Sequence, residues 1–326
     1  MKKIFNGIVF CFLISLSCCT IAKSDPLVDW NDGPAKQAII TFVQKVTDKN
    51  SPDYVPDNER IAVFDNDGTL WVEHPMYTQL AFAIDRVKAL APSHPEWKEQ
   101  QPFKAILEND VKTLEKTNEA ELVKIIMTTH TGISSEEFDN LVKEWLKTAR
   151  HPKYNKPYTK LVYQPMIELM NYLRENGFQV FIVSGGGIEF MRTFALHTYG
   201  VPPWQVIGSS VKTQYQSQGN KHVLMRLPEI NLIDDKAGKP VGIQTYIGLR
   251  PIAAFGNSDG DYQMLEWTTE GPGLRLGAIV HHTDDKREYQ YDRHTPFGKL
   301  DKGLDDAKAR GWILIDMKND WKRIWK

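Results

Sequence analysis

Short apolar runs recur along the chain after residue 59, separated by longer segments with helical periodicity. Each run is rich in β-branched or aromatic residues, is too short for a helix, and predicts a buried strand. The runs are RIAVF (60–64), FQVFIVS (178–184), WQVIGSSV (204–211), IAAFG (252–256), LGAIVHH (276–282) and WILIDM (312–317). Their alternation with helices predicts an α/β fold, a doubly wound parallel sheet with helices on both faces.

Between the first two runs the pattern is helical throughout, with no strand-like alternation. Ser134 stands three residues before Glu137, the arrangement of a capping box at a helix start. We therefore predict an α/β core from residues 23–72 and 159–326, with an α-helical cap domain inserted at 73–158. Two local features complete the prediction: a hairpin within HVLMRLPEINLIDD (222–235) and a basic helix at 316–326.

The first residues have the pattern of an export signal. Two lysines precede an apolar stretch at 4–16, and small residues lead to Ala22. Because the apolar stretch is short for a spanning helix, we predict a signal peptide at 1–22 and a protein exported to the bacterial periplasm or cell envelope. An uncleaved anchor and acylation at Cys18 or Cys19 are the alternatives, and no later segment predicts a membrane span.

Composition excludes several functional classes. The three cysteines of the 326-residue chain lie at Cys11, Cys18 and Cys19, inside the predicted signal. The mature chain would then have neither thiol catalysis nor a cysteine-ligated zinc site. The net charge is −1 and no basic stripe is interleaved with aromatic residues, so we expect no nucleic-acid partner.

Polar side chains follow three of the predicted strands. Asp65 and Asp67 come after the first, Ser184 closes the second, and Asn257 to Asp261 follow IAAFG. The carboxyl ends of parallel strands meet at one edge of the sheet, where ligands bind near a switch in strand order. The sequence therefore predicts one site at this edge.

The Asp65–Asp67 pair has two interpretations. A carboxylate can attack phosphorus and form an aspartyl-phosphate, while a second carboxyl two residues on can move the protons. Gly68 would let the backbone turn beneath a phosphate, and Thr69 would supply a hydroxyl. The alternative is a solvated Asp-Asn-Asp-Gly turn, because these residues are common turn formers.

The other polar groups would serve the same chemistry. Ser184 and the amides from Gly185 onward could bind phosphate oxygens at a helix start, although such a turn is often only a tight connection. Lys239 could stabilise charge on a transferring phosphoryl group; Lys236 is its local competitor, and a solvated lysine is the alternative. Asn257 and Asp261 could complete an oxygen-rich Mg²⁺ site, or form a polar turn.

The ordered set resembles the haloacid dehalogenase superfamily, specifically its phosphoserine-phosphatase-like acid phosphatases. The resemblance covers about residues 60–270, and DNDGT (65–69) matches the DxDxT pattern of these phosphatases. It implies a Rossmann-like core, a helical cap inserted after the first motif, and hydrolysis of phosphomonoesters.

By position, Asp65 resembles the nucleophile and Asp67 the general acid/base. Ser184 resembles the second-motif hydroxyl and Lys239 the third-motif lysine. The resemblance further implies Mg²⁺ held by the Asp65 carboxylate, the Asp67 main-chain carbonyl and the start of the fourth motif.

That fourth-motif position departs from the family. It is usually aspartate and is Asn257 here, whereas Asp261 matches the second acid. The site therefore loses one negative charge, which Asp259 or Asp261 would have to replace.

We accordingly predict a Mg²⁺-dependent phosphatase acting on a small phosphorylated substrate. Glu73, shortly after the first motif, is a candidate contact for a substrate ammonium or hydroxyl, with a solvated or capping glutamate as the alternative. The rival functions are phosphotransfer to an alcohol and binding of a phosphate ligand without turnover.

Overall fold

A computed structural model describes residues 25–114 and 118–326. The predicted signal peptide at 1–22, with its cysteines, lies outside the described residues. No helix in the described part of the chain is both long enough and apolar enough to cross a membrane.

The strands of the described residues form one sheet. They are β1 (Ile61–Phe64), β2 (Gln179–Gly187), β3 (Val206–Gln218), β4 (Lys221–Leu232), β5 (Ala253–Gly256), β6 (Leu276–His281) and β7 (Ile313–Asp316). Their order is β4-β3-β2-β1-β5-β6-β7, and every neighbouring pair is parallel except β3 and β4. The predicted α/β fold is confirmed.

Helices fill the intervals between the strands. Those of the described residues are α1 (Pro34–Thr47), α2 (Thr78–Leu90), α3 (Phe103–Glu108), α4 (Val111–Leu114), α5 (Glu119–His130), α6 (Ser135–Thr148), α7 (Gln164–Glu175), α8 (Ile188–Tyr199), α9 (Gly238–Tyr246), α10 (Tyr262–Thr269), α11 (Lys302–Asp306) and α12 (Met317–Asp320). The capping box predicted at α6 is present: Ser134 Oγ accepts from Glu137 N, and Glu137 Oε2 accepts from Ser134 N.

The alternation of side chains along β1 divides the core between the two faces of the sheet. Ala62 and Phe64 pack with residues of α1, α7 and α8, whereas Ile61 and Val63 pack with residues of α9 and α10. Phe64 stacks on Phe255 of β5 at 4.4 Å between ring centroids. Burial on both faces explains why the central strands read as unbroken apolar runs.

The helices between β1 and β2 pack partly among themselves. A cluster separate from the main core joins α2, α3 and α5 with the segment before α3; its fully buried members are Ala83, Val87, Trp97, Phe103, Ile106 and Ile125. The segments that lead from β1 into these helices and from them back to α7 are hydrogen-bonded to each other. Val72 N donates to Leu161 O, and Tyr163 N donates to Leu70 O.

Two local predictions are wrong. The segment 222–235 does not fold on itself; it continues as β4, which pairs antiparallel with β3 after a turn at Gly219 (φ 60°). The C-terminal helix ends at Asp320, because the backbone beyond it is bridged to other segments. Trp321 pairs with Trp30, and Trp325 with Tyr163.

The strand order switches direction beside β1. The chain moves from β1 to β2 and β3 on one side, then returns to β5 on the other side. This is the switch in strand order at which open α/β sheets bind ligands.

Candidate active site

The first groups of the candidate site lie where β1 and β5 end. Asp65 directly follows β1, and its main-chain nitrogen donates to Phe255 O at 2.9 Å. Asp65 as a whole is 6% exposed. Because this bond continues the β1–β5 pairing past the end of β1, the position of Asp65 is set by the sheet itself.

Lys239, in the first turn of α9, links the strand ends. Its ammonium donates to Asp65 Oδ1 and Asp261 Oδ1, both at 2.6 Å, and to the Val183 carbonyl at 2.9 Å. Burial lowers the pKa of Lys239, but the charges of Asp261 and Asp65 outweigh it, so the pKa lies above its usual value. The amine is therefore a buried ammonium. Lys236, the competing lysine, is exposed.

Burial and the charge of Asp261 raise the pKa of Asp65, against the opposing effect of Lys239. Two carboxylates and one ammonium leave this cluster with one net negative charge when both acids are ionised. That excess charge favours a cation.

Asp67 lies two residues beyond Asp65 on the same loop. Its Oδ1 accepts from Trp71 Nε1 at 2.8 Å, and the Trp71 ring stacks on Phe194 at 4.5 Å between centroids. Burial raises the pKa of Asp67 from 3.8 to about 6, although the Trp71 bond works in the opposite direction. The carboxyl can therefore hold or release a proton near neutral pH.

The glycine-rich end of β2 lies opposite this loop. Ser184 is buried, and its Oγ accepts from Gly186 N at 3.2 Å. The amide of Gly187 donates to Gln79 Oε1 of α2 at 2.6 Å. Gly185 lies against Asp235: a Cβ at this glycine would come 3.5 Å from Asp235 Cβ. The hydroxyl and amides predicted to bind phosphate thus lie beside an inserted helix.

The loop after β5 is held by its own acids. Asp261 Oδ2 accepts from the amides of Asn257 at 2.9 Å and Ser258 at 3.0 Å, while its Oδ1 accepts from Lys239. Both oxygens are engaged, so Asp261 holds the loop and the lysine. The Asp259 carboxylate is bonded elsewhere. It accepts from three amides at the start of α11, those of Asp301, Lys302 and Gly303.

Asn257 is bonded through both ends of its buried amide. Its Oδ1 accepts from Thr69 Oγ1 at 3.1 Å, and its Nδ2 donates to Glu73 Oε1 at 2.6 Å. Glu73 is 2% exposed and also accepts from Tyr291 OH at 2.7 Å. Burial raises the pKa of Glu73 well above its usual value. The structure therefore places the Glu73 carboxylate in contact with Asn257 and Tyr291.

Gly68 lets these groups approach the loop. Its φ of 74° favours glycine, and a Cβ would come within 2.1 Å of Asn257 Nδ2 and 2.3 Å of Glu73 Oε1. From the other side, His282 Nε2 lies 2.8 Å from the Gly68 carbonyl oxygen, and its Nδ1 lies 3.3 Å from Glu288 Oε2. The loop that carries Asp65 and Asp67 is thus clamped by distant residues.

Sequence reasoning did not identify three residues that touch this constellation. Trp71 had a local signal, an aromatic N–H donor four positions after Asp67. Gln79 and Tyr291 had none, because a lone glutamine in a first helical turn and a tyrosine in an irregular segment match no spacing rule.

The donor set suits a hard divalent cation such as Mg²⁺. Within residues 25–114 and 118–326, neither Asp65 Oδ2 nor the main-chain carbonyl of Asp67 accepts a hydrogen bond. The same residues contain no group of three or more His, Cys, Asp or Glu side chains arranged around a metal position. A cation here would therefore rely on main-chain and amide oxygens beside Asp65, a set that Mg²⁺ accepts.

Comparison with known proteins agrees with this architecture. The family model of the haloacid dehalogenase-like hydrolases matches residues 62–266. No curated protein matches the sequence.

Similar solved structures include two proteins of unknown function. One, from Anaerococcus prevotii DSM 20548, has 19% identity and a TM-score of 0.53, covering 86% of this chain and 99% of that one. The other, from Bordetella pertussis Tohama I, has 16% identity and a TM-score of 0.49, covering 79% and 99%. A phosphoserine phosphohydrolase-like protein from Francisella tularensis subsp. tularensis SCHU S4 has 17% identity and a TM-score of 0.37, covering 70% and 89%.

The family match begins within β1 and ends within α10, so it includes the ends of β1, β2 and β5, where the site residues lie. The resemblance drawn from DNDGT and the later strand ends is confirmed at the level of the family. This chain belongs to the haloacid dehalogenase-like hydrolases and is an enzyme of that family.

Proposed function

We propose that this protein is a Mg²⁺-dependent phosphomonoester hydrolase that acts on a small phosphorylated metabolite through an aspartyl-phosphate on Asp65. The observation that carries the proposal is that one loop presents two carboxyl groups, Asp65 and Asp67, in different electrostatic surroundings. Asp65 contacts the Lys239 ammonium, while Asp67 has a pKa raised to about 6. A nucleophile and a proton donor two residues apart are what stepwise phosphoryl transfer requires.

In the first step, Asp65 Oδ2 attacks phosphorus and the bond from phosphorus to the ester oxygen breaks. Asp67 gives its proton to the departing alkoxide, so the alcohol leaves neutral. Ser184, at the end of β2, would bind the phosphoryl oxygens together with the amides after it. The Lys239 ammonium, bonded to Asp65 Oδ1, would stabilise the negative charge that develops beside it.

In the second step, Asp67 is a carboxylate and accepts a proton from a water molecule. The water oxygen attacks phosphorus, the bond from phosphorus to Asp65 breaks, and inorganic phosphate leaves. Asp65 is again a carboxylate and Asp67 again carries its proton, so the site returns to its starting state.

Mg²⁺ would be held by the Asp65 carboxylate, the Asp67 main-chain carbonyl and Asn257. When bound, it would neutralise the repulsion between the nucleophile and the phosphate dianion. Asp261, a predicted ligand, is better suited to positioning, because its two oxygens already accept from the Lys239 ammonium and from two main-chain amides. The Asn257 oxygen accepts only from Thr69 Oγ1 within the described residues.

The helices at 73–158 would act as a cap that excludes bulk water. The separate cluster of α2, α3 and α5 and the paired connecting segments support this division. Export to the cell envelope remains a prediction from residues 1–22, and the N-terminal sequence of protein isolated from the native envelope would test it.

The function is tested by phosphate release from a panel of phosphomonoesters, with Mg²⁺ and with chelator. We expect Mg²⁺-dependent release, and a loss of at least about a thousandfold in Asp65→Asn, because the nucleophile is removed. Asp48→Asn, an exposed aspartate beyond α1, is the matched control and should match wild type.

Turnover by Asp65→Asn, or turnover unaffected by chelator, would overturn the proposal. Measuring alcohol and phosphate release together separates hydrolysis from phosphotransfer. Equal amounts indicate hydrolysis, whereas an excess of alcohol in the presence of an acceptor indicates phosphotransfer.

A further inference from the structure

The cation site contains one carboxylate fewer than the family pattern implies, because Asn257 stands where an aspartate is usual. The acids that follow Asn257 do not replace that charge. Asp261 is occupied by Lys239 and by two amides, and Asp259 caps α11.

A different carboxylate lies in direct contact with this position. Glu73 Oε1 is 2.6 Å from Asn257 Nδ2, and both side chains are almost fully buried. Since Glu73 accepts the amide N–H, Asn257 must turn its nitrogen toward Glu73 and its oxygen toward Thr69. Glu73 therefore fixes the orientation of the amide and so the position of the Asn257 oxygen that could bind a metal ion.

The protein contacts of Glu73 include no cation. Within the described residues its hydrogen-bond partners are the Asn257 amide and the Tyr291 hydroxyl, both neutral, and it forms no ion pair. A buried carboxylate without a cationic partner is costly. A cation held at the adjacent oxygens would compensate that charge.

The backbone is shaped to accept this carboxylate. A Cβ at Gly298 would come 1.9 Å from Glu73 Oε1, and one at Gly68 would come 2.3 Å from the same atom. Both glycines have positive φ. The Glu73 carboxylate thus fits closely between the loop that carries Asp65 and Asp67 and a segment more than 200 residues away in sequence.

We propose that Glu73 carries the negative charge that Asn257 lacks, and that it positions the Asn257 amide for Mg²⁺. The inference rests on the proposed function, since it concerns the cation of the same reaction. The charge would then lie in the segment after the first motif rather than in the loop after β5.

The test is Mg²⁺ binding measured by isothermal titration calorimetry on the purified protein, without substrate. We expect Glu73→Gln to raise the Mg²⁺ dissociation constant at least about tenfold, the usual effect of losing a group that positions a metal ligand. The exchanged pair, Glu73→Gln with Asn257→Asp, should return to within about threefold of wild type, because the charge again lies beside the same oxygens. Glu168→Gln, a like change at a glutamate bonded to the amides of Val28 and Asp29, should leave the dissociation constant unchanged.

Wild-type affinity in Glu73→Gln would overturn the inference, and so would an exchanged pair as weak as Glu73→Gln. If Glu73→Gln does not fold, Asn257→Asp alone decides. It should increase the rise in Tm on adding Mg²⁺ beyond that of wild type, because it adds a carboxylate beside Glu73 that a cation relieves; an unchanged rise would overturn the inference. Absence of Mg²⁺ binding by wild type itself would instead sink the metal requirement of the proposed function.

Discussion

Gln79 Oε1 lies 2.6 Å from the main-chain nitrogen of Gly187, so helix α2 is hydrogen-bonded to the glycine-rich end of β2. The surroundings of this oxygen are those of the candidate site. A Cβ at Gly186 would be 3.5 Å from Gln79 Oε1, 3.5 Å from Ser184 Oγ and 3.6 Å from Asp67 Oδ2. The glutamine oxygen therefore lies beside the groups proposed to bind a phosphoryl oxygen.

Gln79→Glu should weaken phosphate binding. The carboxylate can still accept from Gly187, but it would repel a phosphate dianion, and such like-charge contacts cost several kcal/mol. We expect the inhibition constant of inorganic phosphate to rise at least about tenfold, measured against substrate turnover.

The matched variant is Gln79→Ala, which removes the same hydrogen bond without adding charge. It should keep phosphate inhibition closer to wild type than to Gln79→Glu. Identical inhibition of wild type and Gln79→Glu would place the phosphate elsewhere.

Lys239→Met should destabilise the fold. The change leaves Asp65 and Asp261 buried without their ammonium, and removing one partner of a buried ion pair costs about 3–5 kcal/mol. Urea denaturation at pH 7 measures the free energy of unfolding. Lys236→Met, at an exposed lysine, should change the free energy of unfolding by less than about 0.5 kcal/mol. Equal losses in the two variants would contradict a stabilising role for the buried ion pairs of Lys239.

Turnover should fall as pH rises through about 6. Asp67 must carry a proton to release an alcohol, and its pKa of about 6 means that the protonated fraction declines above that pH. We expect kcat/KM for an alkyl phosphate to decline more steeply than that for p-nitrophenyl phosphate, whose leaving group needs no proton. The second ionisation of phosphate differs between the two substrates, so each profile is first corrected for its own substrate ionisation. Parallel corrected profiles would remove Asp67 from the role of acid.

Trp71→Phe should shift that profile to higher pH. The indole N–H donates to Asp67 and lowers its pKa, whereas phenylalanine keeps an aromatic ring against Phe194 without the donor. The descending limb of kcat/KM against pH should therefore move upward. Phe194→Leu, which alters the stacking but leaves the donor, is the control; a limb that moves equally in both variants would assign the effect to packing.

The strand ends were predictable because they follow from a local pattern and one rule of sheet geometry. Short runs such as IAVF predict buried strands, and parallel strands present their carboxyl ends at one edge. Asp65, Ser184 and Asn257 could thus be placed together without knowing any contact between them.

The choice between Lys239 and Lys236 could not be made from spacing. The structure has Lys236 at φ 50° and exposed, whereas Lys239 enters α9 and reaches the Val183 carbonyl. The two lysines are only three residues apart, yet one side chain is exposed and the other is buried. Which of them points to the core depends on how α9 packs on the sheet.

By itself the sequence determined the family, the α/β layering and the two acids of DNDGT, because these depend on residues close together in the chain. Tertiary structure alone decided the partners of Asn257. Glu73 lies 184 positions before it and Tyr291 lies 218 positions beyond Glu73, yet the three are joined by hydrogen bonds. Contacts at such separations depend on how the loops above the sheet pack together, and neither periodicity nor motif spacing records that packing.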